Sequence, residues 1–243
     1  GMTSDYILDC MNRTNGLISR KDLKKYKVIE RKPITFNYRD YTVHSMPPPS
    51  SGGITLASIL NQIENIDFSN INFQSKLHLH YLVESERRAY SDRAEYLGDM
   101  DFVNVPVNEL ISDEYAYKRF VTIDESSASE SASIKHGNIS IEESEETTHF
   151  SIVDAYGNAV SLTTTINGWY GSGITVDKAG FVLNNEMDDF SSKPGTPNMY
   201  GLVGSHANSI MPEKRMLSSM TPTIVNDKDG DLYLVLGSPG GST

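Results

Sequence analysis

The 243-residue sequence predicts an α+β fold in which helices cover β-sheet. Apolar residues recur at helical spacing through much of the first half of the chain, whereas short alternating segments separated by turn residues dominate the second half. The hydrophobic content of 38% is that of a globular chain, and the length is sufficient to bury a core.

The charge and the composition exclude several classes of partner. The formal net charge is −11, which disfavours nucleic acids and anionic membranes. No apolar run approaches the roughly 18 residues of a spanning helix, and the residues after Met2 lack the apolar segment of a signal peptide. Cys10 is the single cysteine, so no disulfide forms within the chain. The sequence shows neither metal-ligand spacing nor a phosphate loop, and we therefore expect no metal and no cofactor.

The first half of the chain is predicted to contain helices and one hairpin. Helices are predicted over 5–14, 21–26, from about Ile54, and over 75–97. The apolar side of the last helix is predicted to run through Leu79, Leu82, Val83, Ala89, Tyr90, Arg93 and Leu97. Alternation over 34–46 predicts a hairpin around Arg39-Asp40, and PPPSSGG at 47–53 predicts a rigid turn before the third helix.

A compositional change divides the chain. Residues 125–146 are acidic and rich in serine, with little apolar surface to offset the entropy of ordering, which predicts a mobile linker. We therefore expect one part over 2–124, the linker over 125–146 and a second part over 147–243.

The second part is predicted to be rich in strands, over 149–154, 159–166, 181–185, 222–227 and 231–238. The first two flank a turn in which Asp154 is predicted to pair with Asn158, with Gly157 at positive φ. This register places Thr147 opposite Thr165, and a slip by one residue places Thr148 there instead. Either way two hydroxyls lie side by side at the end of a buried strand. Ordinary cross-strand pairing of threonines is one explanation.

The position of Thr147, between a mobile linker and a strand, suggests a second explanation. If the Glu146–Thr147 bond is cut, Thr147 carries both a hydroxyl and a free α-amine. An α-amine titrates at about 7.7–8.0, so near neutral pH it can act as general base for its own hydroxyl. Thr147 would then be an N-terminal nucleophile.

Six segments in this order resemble motifs of the gamma-glutamyltranspeptidases (glutathione hydrolases). They are MPPPSSGG (46–53), ESERRAYSDRAEYLGD (84–99), TTHFSIVDAYGNAVSLTTTINGWYG (147–171), VLNNEMDDF (182–190), MLSSM (216–220) and GSPGGS (237–242). The resemblance implies an N-terminal-nucleophile (Ntn) hydrolase fold, an αββα sandwich that is incomplete here. It also implies self-cleavage at Glu146–Thr147. The chain would then hold the C-terminal part of a large subunit and the first part of a small one, which stay together as a heterodimer.

The resemblance also implies roles for individual residues. Thr147 is the expected nucleophile and Thr165 the threonine that orients it, while Gly240 and Gly241 form the oxyanion hole. The expected substrate-binding residues are Asn167, Glu186 and Asp189 for an α-ammonium, Ser218 and Ser219 for an α-carboxylate, and Tyr200 in a lid loop over 191–208. The alternatives are a Gly-rich turn for Gly240 and Gly241, surface charge for Glu186 and Asp189, and a polar turn for Ser218 and Ser219. His78, His80 and His149 are expected to be structural.

The expected activity is gamma-glutamyl transfer from glutathione or a similar compound to water or an amino acid, in a periplasmic or extracellular location. Compared with the family, the sequence lacks an N-terminal segment with a carboxylate-binding arginine, and later strands of the small subunit. We therefore expect a fragment whose incomplete sheets have exposed edges that favour self-association. Two alternatives remain open: an inactive or unprocessed fragment, and a related acylase acting on cephalosporins or poly-gamma-glutamate.

Overall fold

The computed structural model describes residues 1–131, 133–135, 148–198 and 203–240. The chain divides into two compact units, Gly1–Lys32 with Thr165–Glu186, and Pro33–Thr164 with Met187–Thr243. Each unit contains residues from both sides of the predicted cleavage junction. The division at residues 124 and 146 therefore remains a prediction about processing.

The described residues form helices and strands of mostly modest length. The helices are α1 (Met2–Thr14), α2 (Arg20–Lys25), α3 (Gly52–Ile63), α4 (Lys76–Tyr96), α5 (Val107–Leu110) and α6 (Asp113–Phe120). The strands are β1 (Ile34–Tyr38), β2 (Tyr41–Ser45), β3 (Thr148–Val153), β4 (Ala159–Thr164), β5 (Thr175–Val176), β6 (Phe181–Val182), β7 (Thr223–Asn226) and β8 (Leu232–Leu236). The four predicted helices and the predicted hairpins are confirmed, whereas the sequence does not predict α5, α6 or β5. None of these helices is long and apolar enough to cross a membrane.

The smaller unit packs α1 against the β5–β6 hairpin. Cys10 and Met11 on α1 are buried with Val176 of β5. The helix ends at Asn15, which adopts the left-handed conformation with φ 53°. Ser19 and Asp22 then cap the start of α2 reciprocally.

The larger unit is built on an antiparallel sheet with strand order β1-β2-β7-β8. Its core combines sheet, helix and loop residues: Ile34, Phe36, Val43, Ile54, Ala57, Leu97, Val105, Leu110 and Leu217. The β3–β4 hairpin lies beside β7 and β8, because Ser161 Oγ donates to the Leu236 carbonyl at 2.9 Å and accepts from the Thr223 N–H at 3.0 Å.

The buried side of α4 differs from the predicted apolar side. Leu79 and Val83 are 46% and 48% exposed, so their assignment to the apolar side is wrong. Ala89, Arg93 and Leu97 are buried as predicted, and Glu84, Ser85, Arg88, Ser91 and Asp92, which lie outside the predicted side, are buried as well. Two ion pairs offset the burial of charge: Glu84 lies 2.6 Å from Arg88, and Asp92 lies 3.2 Å from Arg119.

Part of the predicted linker has specific partners. Residues 124–131 and 133–135 make hydrogen bonds to α4. Hydrogen bonds to buried charges can order a segment that has little apolar surface. Residues 132 and 136–146 lie outside the described residues, so the mobility of the whole linker remains a prediction.

Candidate active site

The predicted site residues fall in four places. Thr147, Tyr200 and Gly241 lie outside the described residues, as does Glu146. Thr165 and Asn167 follow β4. Glu186 and Asp189 are the first and last residues of a short 3-10 helix. Ser218 and Ser219 precede β7, and Gly240 follows β8.

The predicted register of the β3–β4 hairpin is confirmed. Thr148 pairs with Thr164 and Val153 with Ala159, and the Asp154 N–H donates to the Asn158 carbonyl at 3.0 Å. Gly157 has a φ of 84°, as the turn requires. The expectation of a buried strand is wrong for the described residues, since Phe150, Ile152 and Val153 on β3 are exposed. The Thr147–Thr165 pair itself remains a prediction.

Thr165 and Asn167 form a local turn in the smaller unit. The Thr165 Oγ1 accepts the Asn167 N–H at 2.9 Å, and the Asn167 Nδ2 donates to the Asn185 carbonyl at 3.3 Å. Asn167 is buried and has a φ of 69°, in the left-handed region. The Gly168 N–H donates to the Asn185 Oδ1 at 2.8 Å. These bonds fix the Asn167 amide in one orientation.

Glu186 follows this loop system in the same unit. Its N–H donates to the Asn184 Oδ1 at 3.1 Å, which fixes the backbone. Burial raises the pKa of the Glu186 carboxyl above its ordinary value. A cation beside the carboxylate would oppose this shift.

The backbone of the Ser218–Ser219 segment is fixed by the turn before α3. The Ser218 N–H donates to the Pro49 carbonyl at 2.9 Å, and its carbonyl accepts from the Ser51 N–H and the Ser51 Oγ, both at 2.8 Å. Gly52 allows this approach, because a Cβ at that position would lie 2.5 Å from the Met220 carbonyl oxygen. The motifs MPPPSSGG and MLSSM are therefore joined here by hydrogen bonds.

Arg93, from a third motif, links Ser51 to Ser219. Its Nε donates to the Ser51 Oγ and its Nη2 to the Ser219 Oγ, both at 3.0 Å. The guanidinium is buried, which lowers its pKa, and the negative charge of Asp189 opposes that shift. Arg93 thus holds Ser219 directly and Ser218 through Ser51.

This arrangement decides what the two serine hydroxyls can offer a ligand. The Ser219 Oγ accepts from Arg93, and the Ser218 Oγ accepts from the Met220 N–H at 3.2 Å. Among the described residues, neither hydroxyl donates to a protein acceptor. Because each oxygen already accepts a hydrogen bond, each O–H is available to donate, and a carboxylate is the ligand group that two such donors suit.

Asn208 connects Asp189 to the serine segment. Its Nδ2 donates to the Asp189 carbonyl at 2.7 Å, and its Oδ1 accepts the Leu217 N–H at 2.9 Å. Asn208 is 5% exposed, so both bonds are shielded from water. One amide therefore fixes the spacing between the segment that carries Asp189 and the segment that carries Ser218.

Gly240 adopts a φ of 152°, a conformation that side-chain-bearing residues rarely adopt. Three residues earlier, a Cβ at Gly237 would lie 2.3 Å from the His149 ring. That ring is within 2.8 Å of the Thr163 Oγ1 and 3.1 Å of the Ser151 Oγ. His149 therefore packs between the hairpin and the start of the glycine turn, in agreement with a structural role.

The described residues contain no group of three or more His, Cys, Asp or Glu side chains placed to hold a metal ion. The chemistry available here is that of hydroxyls, carboxylates, amides and backbone N–H groups.

The described residues form a mixed helix-and-sheet fold, and solved structures identify it as that of an Ntn hydrolase. A cephalosporin acylase from Bacillus halodurans matches 95% of this chain with a TM-score of 0.74 at 24% identity, which covers 39% of that chain. The gamma-glutamyltranspeptidase of Helicobacter pylori matches 56% of this chain with a TM-score of 0.54 at 43% identity, again covering 39% of that chain. At its level of identity, the first match shows the fold alone.

The chain belongs to the gamma-glutamyltranspeptidase family, whose model matches residues 1–243. The glutathione hydrolase proenzyme of Escherichia coli K12 is 50% identical over 242 residues. That alignment covers 100% of this chain and 42% of the relative, so the chain spans well under half the length of that protein.

Three residues that hold the candidate site are not among the site residues expected from the sequence: Ser51, Arg93 and Asn208. The first two lie within the motifs MPPPSSGG and ESERRAYSDRAEYLGD, so the motifs indicated the right segments without the roles. Asn208 lies at the end of the expected lid loop, and no sequence signal marks it.

Proposed function

We propose that this chain carries the self-cleavage junction and much of the substrate site of an enzyme that transfers gamma-glutamyl groups from glutathione or related compounds. The family membership supports the reaction class. The carrying observation is the pair of neighbouring hydroxyls of Ser219, which accepts from Arg93, and Ser218, which accepts from the Met220 N–H, neither of which donates to an acceptor among the described residues.

In the proposed reaction, Thr147 supplies both nucleophile and base. Its Oγ attacks the gamma-carbonyl carbon while its α-amine takes the hydroxyl proton. The N–H groups of Gly240 and Gly241 stabilise the oxyanion. The C–N bond then breaks, the leaving amine takes the proton, and a gamma-glutamyl ester remains on Thr147. Water or an amino acid attacks this ester and restores the hydroxyl.

The remaining predicted residues bind the head group of the substrate. Ser218 and Ser219 donate to its α-carboxylate, while Asn167, Glu186 and Asp189 surround its α-ammonium. Tyr200 belongs to the lid loop in this proposal. After cleavage, the two products remain together as large and small subunits.

The test uses the full-length protein and three p-nitroanilides. The gamma-glutamyl compound carries both head-group charges, the glutaryl compound lacks the ammonium, and the 4-aminobutyryl compound lacks the carboxylate. We expect intact-mass spectrometry to show two species that meet at Glu146–Thr147. We expect kcat/KM to be highest for the gamma-glutamyl compound by roughly 10- to 100-fold, because each of the other two compounds loses one set of charge-assisted hydrogen bonds.

The control is Thr147→Ala, which removes the proposed nucleophile and leaves the rest of the site. It should abolish self-cleavage and turnover together. Cleavage that persists at Glu146–Thr147 in this variant would assign the nucleophile to another residue.

The acylase alternative has a specific signature in the same experiment. An acylase of the cephalosporin type would cleave the glutaryl compound at least as well as the gamma-glutamyl one. This alternative stays open, whereas the hydroxyls of Ser218 and Ser219 favour a ligand with a carboxylate in its head group. An uncut, inactive protein would instead support the fragment alternative.

A further inference from the structure

The dipeptide Asn-Gly occurs twice in this chain, as Asn15–Gly16 and Asn167–Gly168, and both copies lie in the smaller unit. An asparagine in this pair can lose ammonia, because glycine has no side chain to obstruct the approach of its main-chain nitrogen. That nitrogen attacks the asparagine Cγ, the Cγ–Nδ2 bond breaks, and the amine takes the proton of the attacking N–H and leaves as ammonia. Water then opens the cyclic imide to aspartate or isoaspartate.

Asn185 holds both reacting nitrogens of the Asn167–Gly168 pair. The Gly168 N–H, which carries the attacking nitrogen, donates to the Asn185 Oδ1 at 2.8 Å. The Asn167 Nδ2, which is the leaving group, donates to the Asn185 carbonyl at 3.3 Å. The Asn185 N–H in turn donates to the Ile166 carbonyl at 3.2 Å, which anchors Asn185 to the same loop. One residue therefore restrains both partners of the reaction.

The main chain around Asn167 is also fixed and shielded from water. Asn167 is 7% exposed, and its φ of 69° lies in the left-handed region. Its N–H donates to the Thr165 Oγ1 at 2.9 Å, and the Gly168 carbonyl accepts the Gly171 N–H at 2.7 Å. The reaction requires the Asn167 side chain to turn toward the Gly168 nitrogen and a base to reach the Gly168 N–H. Both movements break hydrogen bonds that the folded loop makes.

The Asn15–Gly16 pair lies in a different setting. Asn15 is exposed at the end of α1, where it adopts the left-handed conformation. The Gly16 N–H donates to the Met11 carbonyl at 2.9 Å, but among the described residues the Asn15 side-chain amide has no hydrogen-bond partner. Helix ends fray, which gives this pair access to other backbone conformations. The same dipeptide therefore occurs once restrained and once exposed within one unit.

We propose that Asn167 is a deamidation site that Asn185 keeps in the amide form. Deamidation would replace the Asn167 amide with a carboxylate, which cannot donate to the Asn185 carbonyl, and the isoaspartate product would add a methylene to the main chain. Either change would displace the turn that presents this side chain. The consequence for substrate binding rests on the proposed function, whereas the protection of the amide does not.

The experiment follows deamidation in the full-length protein at mildly alkaline pH, folded and unfolded in guanidinium chloride. Peptide mass spectrometry measures the rates at Asn15 and Asn167 separately. Asn185→Ala removes the acceptor of the Gly168 N–H. Asn184→Ala is the matched control, because its Oδ1 accepts the Glu186 N–H at 3.1 Å and contacts neither reacting nitrogen. Circular dichroism verifies that each variant is folded.

In the unfolded protein we expect similar rates at Asn15 and Asn167. In the folded parent, Asn15 should still react, whereas Asn167 should react roughly 10- to 100-fold more slowly than in the unfolded chain, since two hydrogen bonds must break first. Asn185→Ala should accelerate the reaction at Asn167 by up to about tenfold, the effect of one lost hydrogen bond. Asn184→Ala should leave the rate at Asn167 unchanged.

Two results would overturn the inference. One is an Asn167 that reacts as fast in the folded parent as in the unfolded chain, and this comparison decides alone if Asn185→Ala does not fold. The other is a folded Asn185→Ala variant in which Asn167 reacts no faster than in the parent. Neither result depends on self-cleavage or turnover. A protein that shows the expected deamidation rates but never cleaves would therefore overturn the proposed function alone.

Discussion

The Ser218–Ser219 segment and the Asn167–Glu186 loops are held in opposite ways. Arg93 and Ser51 bond to the serines across 126 and 167 positions of the chain. Asn167, in contrast, bonds to residues 2 and 18 positions away. The first region is thus fixed by the packing of the larger unit, and the second by its own turns.

This difference bears on how each region would meet a ligand. Both serine oxygens are held by hydrogen bonds that they accept, so a carboxylate would find two donors whose oxygen atoms are already in place. Glu186 is instead a carboxylate whose pKa burial has raised, a position that a cation would stabilise. In the proposed function, the carboxylate end of the substrate is therefore recognised by a preorganised site, and the ammonium end by one that the ligand itself stabilises.

The largest expected effect comes from removal of Arg93, which supports the Ser218–Ser219 segment from a distant part of the chain. Arg93→Met deletes the charged donor to Ser51 and Ser219, and loss of a hydrogen bond to a charged group costs about 1.5–3 kcal/mol. We expect kcat/KM for gamma-glutamyl-p-nitroanilide to fall roughly 10- to 100-fold, mostly through KM. Steady-state kinetics with the matured protein would measure it.

Two comparisons sharpen that result. Arg93→Lys keeps the charge without the planar pair of donors and should recover only part of the loss. Arg20→Met makes the same change at an exposed arginine that pairs with Asp5, and it should leave kcat/KM unchanged. If Arg93→Met raises KM equally for a substrate without the carboxylate, Arg93 acts on the fold and not through the serines.

An intermediate effect is expected at Asn208. Asn208→Ala removes the amide that joins the Asp189 carbonyl to the Leu217 N–H, so the spacing of the two segments is no longer fixed. We expect about a tenfold rise in KM for the gamma-glutamyl compound, the effect of one or two lost hydrogen bonds. Asn70→Ala, in an exposed turn, is the control. An unchanged KM would show that the spacing is set elsewhere.

The smallest expected effect is on the pH dependence of KM, and it tests the Asn167–Glu186 loops. Glu186 has a raised pKa, so it takes up its proton at a higher pH than an ordinary glutamate and then no longer attracts an ammonium. KM for the gamma-glutamyl compound should rise as the pH falls through that pKa, by a few-fold at mildly acid pH. Glu186→Gln should remove this pH dependence, and a glutaryl substrate should not show it. The same shift makes the folded state gain stability as Glu186 is protonated.

Local patterns predicted much of the fold. The turn residues between Asp154 and Asn158 determine the β3–β4 register, and the alternation over 34–46 with Arg39 at the turn predicts β1 and β2 correctly. These two hairpin predictions are correct because a hairpin register depends on residues that are close in the sequence. The short helices α5 and α6 have too few apolar positions for a periodic signal.

The prediction of the buried side of α4 was wrong at Leu79 and Val83 for a different reason. Periodicity counts apolar residues, whereas burial on α4 depends on whether charges find partners, as Glu84 does in Arg88. The same limitation hides the role of Arg93. Its partner Ser219 lies 126 positions away, and nothing in the local sequence marks that pairing.

The distance between Arg93 and Ser219 also has a consequence for synthesis. A ribosome adds roughly 5–20 residues per second, so α4 leaves it roughly 6 to 25 seconds before the serines do, given the 126-residue separation. Throughout that interval the Arg93 guanidinium has neither Ser219 nor the segment that covers it, and it remains hydrated. The hydrogen bond between Arg93 and Ser219 therefore forms late in synthesis, well after α4 itself has been made.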